Sequence, residues 1–267
     1  MNRFFYYDGA ILADLTSSLN TINLTADVVL DVNKYLYILT DYPFNGINFL
    51  IDSVTPHTNA LKVEQYGSRA WRAVDDILDD TNGLQTNGRL NLILNSDYKI
   101  DLMDTEDIDE LKTKKIQNKY CYRISSTGEI EVSLKFIGQI FATEIDLYSL
   151  YPELSSARTM DNFKRGKTDW IEQMEVVSRQ IVKDLRARNI VFDANNILEI
   201  DKLSIPCAHK VAHIVFSAFG EDYTEQRNAA YSSYKEAIDN FRPVVDENED
   251  GIVTRQERKV TSGVMFR

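Results

Sequence analysis

Twelve residues near the end of the sequence, "DENEDGIVTRQE" at 246–257, alternate oxygen-bearing side chains with spacers in a pattern that suits a hard cation. Asp246, Asn248 and Asp250 fall at loop positions 1, 3 and 5, and Gly251 at 6. The Ile252 carbonyl stands at 7, Thr254 at 9 and Glu257 at 12. Calcium takes roughly six to eight oxygen ligands, and an EF-hand loop supplies them at this spacing, with glycine making the sharp turn. Val253 at position 8 would point inward. The expected cofactor is a structural Ca2+, with Thr254 acting directly or through a water. The competing reading is an acidic linker that fits the pattern by chance. Calcium sensors pair two such loops between long helices, but here Pro243 closes the preceding helix. "RQERKVTSG" after the loop has room for about two turns. A clip that fixes the path of the chain is expected, rather than a switch.

Other chemistry-bearing groups are weaker. "HKVAH" places His209 and His213 one turn apart on a helix face, a spacing used by zinc proteases. Those enzymes need Glu directly after the first His as general base, and Lys210 stands there. Two packing or surface histidines are the plainer expectation. "DDILDD" gathers Asp75, Asp76, Asp79 and Asp80 beside a turn, where solvated carboxylates outnumber acid–base pairs. Cys207 lies in an apolar helical stretch and reads as a packed thiol. "FKRGK" at 163–167 is a basic knot at a helix start. The 14 tyrosines, several in strands, offer flat amphipathic surface for protein or sugar contacts. Nothing assembles an active site, and no enzyme is expected.

These groups sit on two stretches of different texture. The chain has 267 residues, enough for one large domain or two ordinary ones. Its net charge of −11 argues against nucleic-acid binding through phosphate neutralisation. Two distant cysteines make no disulfide framework, which favours a reducing compartment. No apolar run approaches the roughly 18 residues of a membrane span. "MNRFFYYDGA" does not read as a signal peptide, because Asp8 interrupts its short apolar run.

Up to residue 145, short runs rich in Ile, Val, Tyr and Phe lie between turn signals. They are 34–41, 47–54, 61–67, 89–95, 119–126 and 129–141. "YPFNG", "TPHTN", "DDTNG", "QTNG" and "STG" are the turns. Six or more such strands predict an antiparallel β-sandwich or barrel. The acidic stretch 101–115 is expected as a solvated loop with one short helical turn. Beyond 145 the period becomes helical, with a short helix near 145–150. Trp170, Met174, Val177, Ile181 and Leu185 share one face of a helix over 169–189, with Asp169 or Thr168 as its cap. A second helix spans 204–220, with Pro206 in its first turn and Gly220 at its end. A third spans 222–242, carries Ala230, Tyr234, Ile238 and Phe241 as its stripe, and stops at Pro243. Short connections predict antiparallel neighbours. Residues 1–150 hold 13 basic and 22 acidic residues, against 17 and 19 in 151–267, so most of the acidity lies in the β half. The expected class is α+β in two domains: a β-rich domain over 1–145, an α-helical bundle over 146–245, and an EF-hand-like loop with an extended C-terminal tail over 246–267.

"WIEQMEVVSRQIVKDLRARN", "AHKVAHIVFSAFGED" and "NAAYSSYKEAIDNFRPVVDENEDGIVTRQE", with the ending "TSGVMFR", together resemble the helical module of head-to-tail adaptor proteins of tailed bacteriophages. The likeness covers about residues 145–267 and rests on helix pattern, loop and tail. "LYILTDYPFNGINFLID", "QYGSRAW", "YCYRI" and "FIGQIF" resemble, more weakly, a β module that such proteins carry in front. The resemblance implies a homo-oligomeric ring, of about twelve subunits, in the virion neck, assembled in the host cytoplasm. Its partners would be the portal protein and tail, stopper or tail-terminator proteins. Collar or fibre proteins could bind the β part, DNA would pass without being read, and no membrane is involved. The tail residues Val264, Met265, Phe266 and Arg267 would reach the partner. The alternative is a calcium-assisted carbohydrate- or receptor-binding or fibre-attachment module. A metal-dependent hydrolase using His209 and His213 is the third reading.

Overall fold

The computed structural model describes residues 2–242, apart from 21, 23, 68, 75, 94–101, 189, 192, 193, 198 and 199. It is an α+β molecule with two antiparallel sheets and a helical C-terminal part. Contacts within the chain divide it into two compact units, which part between Gly138 and Gln139.

In the first unit, one sheet has the order β2 (Leu12–Asp14), β1 (Arg3–Tyr7), β4 (Tyr35–Thr40), β10 (Tyr120–Ser126), β6 (Leu61–Gly67), β7 (Ala70–Ala73). The other has the order β3 (Ala26–Leu30), β11 (Ile130–Gly138), β5 (Gly46–Val54), β9 (Gly88–Ile93), β8 (Asp76–Asp79). The expected strands appear within a residue or two of their predicted starts. Among the described residues the sheets gain five more, β1, β2, β3, β7 and β8. A four-residue helix, α1 (Thr16–Leu19), links β2 to β3.

Alternation along a strand sends neighbouring side chains to opposite faces. On β4, Leu36 and Ile38 point to a core that also takes Val28, Phe49, Leu90 and Leu134 from the second sheet. Tyr37 and Leu39 point the other way, into a second cluster with Phe5 and Cys121. β4 is therefore buried on both faces, and Tyr35–Leu39 run apolar or aromatic instead of alternating with polar residues.

The acidic stretch supplies that second cover, which corrects the expectation of a solvated loop. It makes two 3-10 turns, Thr105–Asp107 and Lys112–Lys114. Met103, Ile108, Leu111 and Ile116 are buried against Phe5, Tyr37 and Leu39. Thr105 Oγ1 accepts from the Ile116 amide at 2.8 Å, which closes the base of the segment. The carboxylates stay outside: Glu106, Asp107 and Asp109 are exposed on a backbone anchored from below.

The second unit starts with α2 (Glu144–Leu150), held by a capping box in which Thr143 and Asp146 bond each other's backbone amides. After α3 (Ala157–Phe163) come three longer helices, α4 (Ile171–Ala187), α5 (Ser204–Ala218) and α6 (Thr224–Asn240). No side chain caps α4 by the usual N-terminal geometry, although Asp169 Oδ1 accepts from the Ile171 amide at 3.1 Å. Pro206 lies in the first turn of α5, where an amide hydrogen has no helical partner to lose. Gly220, with φ +83, follows the end of that helix. The predicted stripes of α4 and α6 are all buried, in one core with Val211, Val215 and Phe216 of α5. Trp170 is fully buried, donates Nε1 to the Leu154 carbonyl at 2.8 Å, and meets Phe163 edge-on.

Candidate functional site

The calcium-loop residues Asp246, Asn248, Asp250, Ile252, Thr254 and Glu257 lie outside the described residues, as do Val264, Met265, Phe266 and Arg267. Among the described residues, no group of three or more His, Cys, Asp or Glu side chains is arranged to hold a metal ion.

His209 and His213 share a face of α5 but turn to different partners. His209 Nδ1 lies 2.7 Å from the Tyr151 hydroxyl. Burial pushes the Tyr151 hydroxyl up to about 12 and holds the imidazole below its ordinary pKa, so the hydroxyl donates and the neutral ring accepts. His213 Nδ1 lies 3.2 Å from the Arg227 carbonyl, which can only accept, so this nitrogen carries the proton. Its ring lies against Tyr231, with centroids 4.9 Å apart. Each histidine joins α5 to another element, as the packing reading predicts.

The residue between them matters more. Lys210 Nζ donates to Asp184 Oδ2 at 2.7 Å, and the Tyr234 hydroxyl donates to the same oxygen at 2.6 Å. Lys210 also bonds the Tyr234 hydroxyl at 3.1 Å and stands over that ring. One carboxylate, one ammonium and one phenol thus tie α4, α5 and α6 together. Burial would push the Asp184 carboxyl up, but the bonds from Lys210 and Tyr234 outweigh it and bring the net shift down. Sequence reasoning passed over this triangle, although a lysine inside the apolar run of α5 was its signal.

The remaining candidates are mostly structural. Asp79 closes the turn after β8: its Oδ1 accepts from the Thr81 amide and its Oδ2 from the Gly83 amide, both at 2.8 Å. Gly83 has φ +73, and a Cβ there would meet the Asn59 carbonyl oxygen at 2.7 Å, so only glycine fits. Asp76 and Asp80 are exposed, and Asp75 lies outside the described residues. Burial pushes the Cys207 thiol up to about 12, far from a reactive thiolate. Within "FKRGK", Lys167 is largely buried over the Trp170 ring, 3.7 Å from Glu172.

Three of the tyrosines, Tyr35, Tyr37 and Tyr66, gather in one cluster with a charge inside it. On the face of the first sheet away from the shared core, the Arg123 guanidinium lies between Tyr35 and Trp71, 4.5 and 4.3 Å from their ring centroids. Its Nε donates to Glu64 at 2.6 Å. Tyr37 and Tyr66 complete the group around Trp71. Cation–π contact of this kind stabilises by about 0.5–2 kcal/mol, depending on desolvation.

No family model matches the chain, and no curated protein matches it. Functional inference therefore rests on the geometry and on the sequence pattern. The Asp184, Lys210 and Tyr234 groups, like Tyr151 and His209, converge on one another and bind elements of the fold together. No helix of the described residues is long and apolar enough to cross a membrane.

Proposed function

We propose that this chain is a structural virion protein: a head-to-tail adaptor that forms a ring between the portal and the tail or stopper proteins in the neck of a tailed bacteriophage. The observation that carries this reading is the unit formed by α4, α5 and α6. The three stretches that resemble the adaptor module supply these helices, and the helices share one core, locked by Asp184, Lys210 and Tyr234. A scaffold needs this kind of rigidity, and it needs no reacting group. We read the first unit as a β-sandwich domain, because its two sheets share one apolar core. Its place in the neck would be to hold collar or fibre proteins.

The 246–257 donor set suits Ca2+ by its chemistry, with Asp246, Asn248, Asp250, Glu257, the Ile252 carbonyl and Thr254 supplying oxygens only. Bound there, the ion would fix the point where the following segment leaves its own subunit. Val264, Met265, Phe266 and Arg267 would then dock on the portal or a neighbour with less ordering entropy to lose.

A second reading is a receptor- or carbohydrate-binding module. The partly exposed Tyr35 and Trp71 flanking Arg123 favour it. Cryo-electron microscopy of tailed particles separates the two. A ring beneath the portal supports the adaptor, density at a fibre tip supports the binding module, and absence from the particle refutes both.

A further inference from the structure

The two edge strands of the second sheet differ. At β3 the Tyr6 hydroxyl accepts from the Val29 amide at 3.2 Å and donates to the Val29 carbonyl at 2.9 Å, so a side chain of the first sheet closes that edge. Among the described residues, no strand pairs with the outer edge of β8. The Asp80 amide, just past the end of β8, donates to the Arg89 carbonyl at 3.0 Å. Antiparallel bonding alternates, and Leu78 stands opposite Asn91 and Asp76 opposite Ile93. The backbone groups of Asp76, Leu78 and Asp80 therefore turn toward β9, and those of Ile77 and Asp79 turn to the open edge, where they can bond one more strand. Ile77 packs on the core that the sheets share, so Asp76, Leu78 and Asp80 lie on the opposite face, and all three are exposed. Leu78 is 57% exposed, and its diagonal neighbour on β9, Ile93, is 49% exposed. An apolar pair thus stands beside two carboxylates along an unpaired edge. Arg89 aims its guanidinium at Asn48 and Asn91, at 3.0 and 2.7 Å.

We propose that residues 258–267, "RKVTSGVMFR", of a neighbouring copy add to β8 as a further strand of the second sheet. This deepens the adaptor reading and rests on it for the neighbour. Because a terminal segment of one copy meets a sheet edge of the next, the contact is heterologous, and the series closes as a ring or runs on. Backbone bonds to Ile77 and Asp79 would hold the added strand, and its side chains would fix the register.

Charge, length and pattern favour this occupant. The segment, which lies outside the described residues, holds Arg258, Lys259 and Arg267 and no acidic residue, in a chain of net charge −11. Val260, Thr261, Val264 and Phe266 favour extended chain, and no proline removes a donor from the ladder. Laid antiparallel with Val260 opposite Leu78, the segment sets Arg258 opposite Asp80 and Ser262 opposite Asp76. These are pairs without mutual backbone bonds, whose side chains approach most closely, at about 4.5 Å between Cα atoms. Ten extended residues span about 33 Å at about 3.3 Å each, enough to leave the clip at 246–257 and lie along a copy packed beside it. A second β8 is the weaker occupant, since an antiparallel pair of these strands with Leu78 facing Leu78 would set Asp76 against Asp80, like charge against like. The charge pairs are exposed, so the contact weakens as salt rises.

The test uses two full-length variants and two labelled peptides, read by fluorescence anisotropy. The R258E/K259E chain keeps the native edge and carries a segment that no longer fits it; the D76K/D80K chain has a reversed edge and a native segment. Asp79 is left in place because its carboxylate closes the turn after β8. Circular dichroism establishes that each variant is folded. The peptide RKVTSGVMFR should bind the R258E/K259E chain saturably, more weakly as salt rises, and about tenfold or more better than it binds the D76K/D80K chain. EEVTSGVMFR should show the opposite preference. In sedimentation velocity the wild type should self-associate, each variant should associate more weakly, and the chain with all four changes should recover. Absence of peptide binding, equal binding by a scrambled peptide of the same composition, or no exchange of preference between the two edges overturns the proposal. A wild type that stays monomeric while the peptide binds puts the segment on the edge of its own copy and overturns the contact between copies. None of these results removes the adaptor reading, which stands or falls on the position of the chain in the particle.

Discussion

Replacing Tyr234 with Phe removes one oxygen from the junction of α4, α5 and α6 and leaves the ring in the core. That hydroxyl donates to the Asp184 carboxylate at 2.6 Å and accepts from Lys210 at 3.1 Å, on a residue only 5% exposed. A hydrogen bond to a charged group contributes about 1.5–3 kcal/mol. The Asp184 side chain is 41% exposed, so water replaces part of the lost bond and the low end applies. The expected cost is about 1.5 kcal/mol. Asp184→Ala should cost more, about 2–3 kcal/mol, because it strips the counter-charge from Lys210, whose side chain is 15% exposed. Since the two changes remove one shared bond, the double variant should fall short of their sum by about 1 kcal/mol. The two tryptophans make the assay clean, because Trp71 lies in the first unit and Trp170 in the second. In a Trp71→Phe background, the fluorescence of Trp170 follows urea unfolding of the helical unit alone. The midpoint should fall at an unchanged slope. A Tyr234→Phe midpoint equal to that of its parent, or full additivity in the double variant, would refute the view that the triangle holds the bundle.

Three further outcomes follow from the same structure. Leu111→Ala should destabilise the first unit by about 2–5 kcal/mol and open the acidic segment to protease before the sheets unfold; simultaneous digestion of both would count against it. The folded-state pKa of His209 lies below its unfolded value, so this residue contributes stability that is present above pH 6.5 and is lost as pH falls toward the folded pKa. His209→Phe should flatten that part of the pH–stability curve, and an unchanged slope as pH falls below 6.5 would assign it to another group. Chelation of calcium should speed proteolysis in 246–267 and leave the melting of both units unchanged, while equal cleavage with calcium and with EDTA would remove the proposed clip.

The central strands and the long helices were legible in the sequence because burial had written a period into them. Trp170, Met174, Val177, Ile181 and Leu185 could share a face only in a helix, and all five are buried. Four of the five strands that sequence did not disclose, β2, β3, β7 and β8, are the edges of their sheets. An edge strand is set by the backbone bonds that its neighbour offers, and a run such as "DILD" carries little of that in its side chains. The acidic cover misled for a different reason. Five carboxylates between residues 104 and 110 outweighed Ile108 and Leu111 in any average, although those two flank the turn between the 3-10 segments, closed by the Leu111 amide on the Ile108 carbonyl at 2.9 Å, and both are buried. The Asp184 triangle was hidden because its members come from three helices, and no local spacing joins them.

The helical unit uses inner polar groups to join elements of the fold. Inside it, several buried or half-buried polar groups are answered by another part of the fold: Lys210 by Asp184, His209 by Tyr151, the Ser178 hydroxyl by the Met174 carbonyl and the Phe141 amide. A group satisfied in this way fixes geometry and loses reactivity, since moving its proton breaks a bond that holds two helices.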